Sequence, residues 1–230
     1  MTLGKILLVE DSDDVRLAFE VVLEDAGYDV SAIADGDDAL RDVYQFQPDL
    51  ALLDIMLPGL SGFDLCRRIR AMSNIPVVML SALSDEREKL RAFENGADDY
   101  VVKGTGTAEL LARINAALRR ARLPQAGSLE DRYADGEVKV NFARRAVTVR
   151  GQAVELTPIE YGLLTTLIRN EGSPVQPAKL LEDVWGAGYD PELVKWHIGR
   201  LRRKIEDEPE KPRLVLTRRG YGYVYVAPAA

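Results

Sequence analysis

Apolar residues in the first half of the chain follow two alternating rhythms. Lys5–Val9 is a nearly continuous apolar run closed by Glu10 and Asp11, the pattern of a strand buried on both faces. Behind it, Val15, Ala18, Phe19, Val22, Leu23 and Ala26 recur at i, i+3, i+4 and i+7, one face of a helix that Gly27 is placed to stop. The alternation then repeats. Residues 29–34, Leu50–Asp54, 76–81 and 100–102 read as strands, and residues 37–44, Gly62–Met72, 85–95 and 107–120 as helices. Five strand–helix units of this kind predict a doubly wound parallel sheet with helices on both faces. Strands apolar throughout, rather than alternating, support parallel pairing.

The rhythm changes in the second half. Residues 119–131 mix charge, proline, glycine and serine without an apolar period, and their middle reads as a linker. Residues 137–142, 145–150 and 153–156 are short alternating runs parted by turn residues, a small antiparallel sheet. Thr157, Pro158 and Glu160 spell a capping box with proline in the first turn, opening a helix that carries Leu163, Leu164, Leu167 and Ile168 and stops at Gly172. A second helix covers Pro177–Val184. Asp190 and Pro191 open a third, with Val194, Ile198, Leu201 and Ile205 as its apolar stripe. Trp196, Gly199, Arg200 and Arg203 fall on the far side, flanked by His197. Residues 214–218 and 223–226 close the chain as two strands around Arg219-Gly220-Tyr221-Gly222.

Composition removes several function classes. With 230 residues, 47% hydrophobic and 29% charged, the chain can build buried cores. One cysteine, Cys66, excludes a disulfide framework and a multi-thiolate zinc site, and one histidine, His197, excludes HExxH chemistry. No apolar run approaches the roughly 18–20 residues that span a bilayer, and the short run after Lys5 is no signal-peptide core, so a soluble, cytoplasmic protein is expected. The net charge of −7 is uneven: residues 1–121 carry 13 basic against 22 acidic side chains, and the remainder 17 against 15. Such asymmetry suggests different partners for the two halves.

In a doubly wound sheet, ligands bind beyond the carboxyl ends of the strands. The residues standing there are Glu10 and Asp11, Asp54, Ser81 and Lys103. Converging carboxylates resist joint ionisation unless a cation neutralises them, and a hard divalent ion with oxygen ligands does so. A lysine and a hydroxyl at the same edge supply donors for a phosphoryl group. The set therefore reads as an aspartate nucleophile accepting a phosphoryl group beside Mg²⁺. Taken singly, acids such as Asp13 or Asp85 read equally well as helix caps.

Residues 5–121 resemble a response-regulator receiver domain, through Glu10-Asp11, Asp54 in LLDIMLPGLSG, Ser81-Ala82, and GADDYVVK ending at Lys103. The resemblance implies strand order 2-1-3-4-5 and Asp54 as phosphoacceptor. It implies Mg²⁺ on Asp11, Asp54 and the Met56 carbonyl with Glu10 assisting, and Tyr100 as an aromatic that turns inward when Ser81 moves. It also implies dimerisation through the fourth helix, fifth strand and fifth helix, where Lys89, Glu109, Asp99 and Arg113 supply charges. One departure stands out: the family's Lys-Pro is here Lys103-Gly104. A non-proline cis bond costs about 3 kcal/mol, so a trans bond is expected, or a loop made mobile by Gly104 and Gly106.

The second half, through LTPIEYGLL, VKWHIGRLRRKIE and LTRRGYGYVY, resembles the winged-helix output domain of OmpR/PhoB-type regulators. That likeness implies DNA contacts by His197, Arg200 and Arg202 of the helix and by Thr217 and Arg219 of the wing, with Trp196 and Arg203 on the groove-facing side. Two residues depart: Glu192 stands where relatives often carry a phosphate-holding arginine, and Trp196 where they carry a smaller side chain. The expected architecture is a receiver over 1–121, a linker over 122–132 and an α+β winged-helix domain over 133–230. The expected partners are a sensor histidine kinase, tandem DNA half-sites, RNA polymerase and a second copy of the chain. Two other readings are open. A phosphohydrolase would want a second acid two residues after its nucleophile, where Met56 stands; a phosphorylation-independent DNA binder is suggested by Gly104 and opposed by the intact acidic, hydroxyl and lysine set.

Overall fold

A computed structural model describes residues 2–82, 85–122, 132–186 and 189–228. The chain divides into two compact units, Met1–Ala121 and Arg122–Ala230. The expected linker falls largely on residues 123–131, outside the described residues.

The first unit is a five-stranded parallel sheet. Its strands β1 (Lys5–Val9), β2 (Asp29–Ile33), β3 (Leu50–Asp54), β4 (Val77–Ser81) and β5 (Asp99–Val102) lie in the order β2-β1-β3-β4-β5. Five helices alternate with them: α1 (Asp13–Asp25), α2 (Gly36–Phe46), α3 (Gly62–Met72), α4 (Glu86–Glu94) and α5 (Thr107–Arg122). Every residue of β3 and β4 is buried, as a central parallel strand covered on both faces requires. One core packs Ile6, Leu8, Leu50, Leu52, Val78 and Leu80 against Leu110, Ile114 and Leu118 of α5.

Local chemistry fixes where the helices start. Asp35 accepts the backbone N–H groups of Asp37 and Asp38, Ser61 that of Asp64, and Asp85 that of Arg87. Asp85 is thus a cap, as its loop position allowed. At Gly62 a side chain has no room, because an added Cβ would lie 1.9 Å from the Asp54 carbonyl oxygen. That close approach seats α3 directly beyond the end of β3.

The second unit begins with an antiparallel sheet in the order β6 (Arg132–Ala134), β7 (Val138–Asn141), β8 (Ala146–Val149), β9 (Gln152–Val154). Strand β6 was not among the expected elements; it is three residues long and none of them is buried, so no apolar period marks it. Three helices follow, α6 (Pro158–Arg169), α7 (Pro177–Val184) and α8 (Glu192–Ile205), then the hairpin β10 (Val215–Arg218) and β11 (Gly222–Tyr225). The capping box forms as read, Thr157 accepting from the Glu160 amide and Glu160 from the Thr157 amide. Helix α6 ends at Arg169, short of Gly172. Leu163, Leu164, Leu167, Trp185, Val194, Ile198, Leu201 and Ile205 fill the core. Among the described residues no helix is long and apolar enough to cross a membrane.

Candidate functional site

The parallel sheet delivers three carboxylates to its carboxyl edge. Asp54 ends β3 with 2% of its surface exposed, and Glu10, directly after β1, is fully buried. Asp11 beside it is exposed. Oxygens from the three lie within 4.8 Å of one another, the kind of donor set a hard divalent cation takes. Lys103, just beyond β5, reaches into this group: its Nζ lies 2.9 and 2.6 Å from the two Glu10 oxygens and 3.0 Å from Asp54 Oδ1. Glu10 Oε2 and Asp54 Oδ1, both buried, face that ammonium as ion partners. Burial raises the Glu10 pKa, with Lys103 opposing and Asp54 reinforcing. For Lys103, burial works downward, but its bonds to Glu10 and Asp54 outweigh it and hold the ammonium above its ordinary value.

Ser81 and Tyr100, expected to act together as a switch, stand one strand away. Ser81 ends β4 buried, and its Oγ donates to Glu88 Oε2 of α4 at 2.8 Å. Tyr100 of β5 is buried close to Ser81. Burial raises the Tyr100 pKa, the Ser81 hydroxyl opposes it, and the carboxylates of Glu88 and Asp85 add to it. Glu88 escapes sequence reading because its link to Ser81 spans a turn and obeys no helical or strand period. The Lys103–Gly104 peptide is trans, as every peptide bond among the described residues is. The Lys103 amide closes onto the Ser81 carbonyl at 2.6 Å, and Met56 exposes its side chain at the mouth of the edge.

Three of the charges expected at a pairing surface, Asp99, Glu109 and Arg113, are engaged within the chain. Arg113 of α5 reaches Asp99 Oδ1 at 3.2 Å and Glu109 Oε1 at 2.9 Å, and Asp99 itself is buried. That burial raises its pKa, with Arg113 opposing. Lys89 lies half-buried on α4.

In the second unit the structure corrects the reading of α8. His197 is fully buried, its ring 5.2 Å from that of Trp185 in an edge-to-face arrangement. Arg200 is only 8% exposed and pairs with Glu160 Oε1 at 3.2 Å. Neither side chain lies on the outward face where direct DNA contact was expected. The reason is helical geometry: His197 follows Val194 by three residues and precedes Leu201 by four, so it shares the side of the apolar stripe. Arg200 precedes Lys204 by four, and both turn to the same Glu160 carboxylate.

The outward face of α8 carries Glu192, Lys195 and Arg203, all exposed, with Trp196 and Gly199 half-buried. Arg202 ties the helix to the hairpin, its Nε donating to the Val215 carbonyl and a terminal nitrogen to Thr217 Oγ1, each at 2.9 Å. Burial lowers its pKa, with Tyr223 opposing. Thr217, Arg218, Arg219 and Tyr221 are exposed at the hairpin, and with Gln176 and Pro177 they line a cleft of about 440 Å³. Sequence reading passed over Lys195 and Arg218 as surface cations. Spacing was the available signal for the first: Lys195, Gly199 and Arg203 recur every four residues.

Two family models match the chain, the response regulator receiver domain over residues 6–115 and "transcriptional regulatory protein, C terminal" over residues 151–225. It is 42% identical over 221 residues to the DNA-binding response regulator MtrA of Mycolicibacterium smegmatis, with 95% of each chain covered. It is 40% identical over 231 residues to the probable transcriptional regulator ycf27 of Cyanophora paradoxa, covering 96% of this chain and 95% of that one. Among solved structures, the response regulator DrrB, a Thermotoga maritima OmpR/PhoB homolog, is 33% identical over 99% of this chain and 100% of its own, with a TM-score of 0.51. With the parallel sheet, its acidic edge and a C-terminal unit of three helices and a hairpin all in place, the chain belongs to the DNA-binding response regulators of the OmpR/PhoB type, which regulate transcription in two-component systems.

Proposed function

We propose that Asp54 accepts a phosphoryl group from a sensor histidine kinase and that the modified chain pairs with a second copy on tandem DNA half-sites. The observation that carries this reading is the Lys103 ammonium bridging the buried Glu10 and Asp54 carboxylates at the sheet edge. In the transfer, a carboxylate oxygen of Asp54 attacks phosphorus and forms an acyl phosphate. The bond from phosphorus to the donor nitrogen breaks, and its electron pair stays on the donor imidazole. Lys103 exchanges its carboxylate partners for phosphoryl oxygens, and Ser81 donates its hydroxyl proton to one of them. Glu10, Asp11, Asp54 and the Met56 carbonyl would hold Mg²⁺, which when bound offsets the crowded negative charge. Tyr100, beside Ser81, carries the arrival of the group toward α4 and α5. There Lys89, Glu109 and Arg113, the last held by the buried Asp99, set the register of pairing, since each exposed ion pair is worth only about 0–1 kcal/mol.

In this reading residues 1–121 form the receiver, 122–132 the linker and 133–230 the output domain, working in the cytoplasm with RNA polymerase as a further partner. Arg203, Arg219 and Trp196 face the duplex from helix and wing. Arg202 and Thr217 set the angle between those elements; His197 and Arg200 support α8 from within. Intact mass after incubation with acetyl phosphate and Mg²⁺ tests the first half: one added phosphoryl group is expected, and none in Asp54→Asn. Selection from a random DNA pool, with and without phosphodonor, tests the second. Enrichment of a repeated half-site in the modified protein supports the reading, and identical pools in both states count against it.

A further inference from the structure

The Ser81 hydroxyl carries one proton, and in this structure Glu88 holds it. Ser81 Oγ donates to Glu88 Oε2 at 2.8 Å. A hydroxyl donates one hydrogen bond at a time. A phosphoryl oxygen at Asp54 can therefore recruit Ser81 only by taking it from Glu88. We infer that Glu88 is a positioning residue for phosphoryl transfer: it holds the Ser81 hydroxyl in reserve, sets how readily Asp54 is modified, and is released when modification occurs. This rests on the reading of Asp54 as phosphoacceptor and extends it to a residue outside the acceptor cluster.

Three features make such a latch workable. Glu88 is half-buried, so the bond is partly shielded from competing water. It lies in the first turn of α4, whose N-terminal amides favour a carboxylate, so the released side chain is tolerated there. It also sits on the helix that joins β4 to β5, so freeing it removes a restraint on α4 at the moment Ser81 shifts. A hydrogen bond to a charged acceptor is strong enough to delay modification, yet weak beside the two charged groups that Lys103 and a metal bring to a phosphoryl group.

The test uses the full chain with Mg²⁺ and beryllofluoride, followed by fluorine NMR of the bound species, and with acetyl phosphate, followed by intact mass. Glu88→Ala is expected to bind beryllofluoride about tenfold more tightly and to be modified about tenfold faster, the scale of one charge-assisted hydrogen bond no longer competing. Glu88→Gln, which keeps a neutral acceptor and the side-chain shape, should fall between the two and serves where the alanine variant folds poorly. In a Ser81→Ala background the Glu88→Ala gain should vanish. An equal gain in that background would mean that Glu88 acts by its charge alone, and the latch would be wrong. Unchanged affinity in both Glu88 variants would also overturn it. Wild-type protein taking neither beryllofluoride nor a phosphoryl group would instead remove the reading of Asp54 itself.

Discussion

Arg200 and Glu160 form an ion pair at 3.2 Å with Glu160 fully buried and Arg200 nearly so. The same carboxylate receives Lys204 Nζ at 2.7 Å and the Thr157 amide at 2.9 Å. One glutamate thus caps α6 and anchors α8, the helix offered to DNA. Removing Arg200 leaves this buried carboxylate with Lys204 as its remaining cation, so the cost falls at the lower end of the about 3–5 kcal/mol of breaking a buried pair. Arg200→Ala is expected to lower the stability of the second unit by about 3 kcal/mol. Both tryptophans of the chain, Trp185 and Trp196, lie in that unit, so the urea midpoint of tryptophan fluorescence reads the loss directly. Weaker DNA binding should follow with no change in the ranking of preferred sequences; a changed ranking would place Arg200 on the bases after all.

The same carboxylate predicts a pH dependence. Burial pushes the Glu160 pKa upward, but Arg200, Lys204 and the Thr157 amide outweigh it, and the net value lies below the ordinary 4.5. A carboxylate whose folded pKa is depressed contributes stability that is present above its unfolded pKa and lost as pH falls through the folded one. The tryptophan-monitored midpoint should therefore drop as pH falls below about 4.5. Glu160→Gln should lower the midpoint at neutral pH and flatten the acid-side slope. An unaltered slope in that variant would assign the acid sensitivity to other groups.

How much of this was legible before the structure varies with the physics involved. The five strand–helix units were, because apolar runs and i, i+3, i+4 spacing dictate burial directly. Glu160 was read correctly as a capping residue, yet its anchoring of Arg200 depends on how α6 crosses α8, which no local pattern encodes. His197 and Arg200 were expected at DNA through the family resemblance, while burial against Trp185 and pairing with Glu160 turn them inward. The gathering of Glu10, Asp54 and Lys103 was readable as strand-end chemistry, since topology alone gathers strand ends at one edge. Glu88 was not, because a bond from a strand end to a helix side chain depends on three-dimensional packing.

Gly62 offers a purely steric test. An added Cβ at this position would lie 1.9 Å from the Asp54 carbonyl oxygen, 2.8 Å from its carbon and 2.9 Å from the Ile55 Cα, all backbone atoms that cannot swing aside. Gly62→Ala should destabilise the first unit by about 3 kcal/mol and move the end of β3, which carries Asp54. Hydrogen exchange of peptides over Leu50–Asp54 and Gly62–Met72 should speed up together. Protection equal to wild type in both segments would show that the backbone adjusts without cost.

Lys103 separates binding of the phosphoryl group from the presence of the nucleophile. Its ammonium contacts both Glu10 and Asp54, so Lys103→Ala removes the donor offered to the incoming oxygens and leaves two buried carboxylates facing each other. Modification by acetyl phosphate is expected to slow by about 100-fold, the scale of losing one preorganised charge-stabilising donor. Chelating Mg²⁺ from wild-type protein should reduce incorporation to background. Rates followed by intact mass decide both points, and a chelator-insensitive rate would contradict the assignment of Glu10, Asp11 and Asp54 as metal ligands.

The outward face of α8 sets Trp196 beside a bare position. Gly199 has open space where a Cβ would stand, and Trp196 is half-buried, its Nε1 without a hydrogen-bond partner among the described residues. An indole there can press on an apolar base edge such as the thymine methyl, whereas the exposed cations Arg203 and Arg219 are suited to phosphate. The two roles predict different signatures. Trp196→Val should reorder the sequences enriched from a random pool, with about 1–3 kcal/mol redistributed among base pairs at the contacted position. Arg203→Ala and Arg219→Ala should weaken binding to all sequences alike and each reduce the slope of log affinity against log salt by about one. A Trp196→Val variant with an unchanged ranking would show that the indole only fills space, and would leave the wing and the cations to account for recognition.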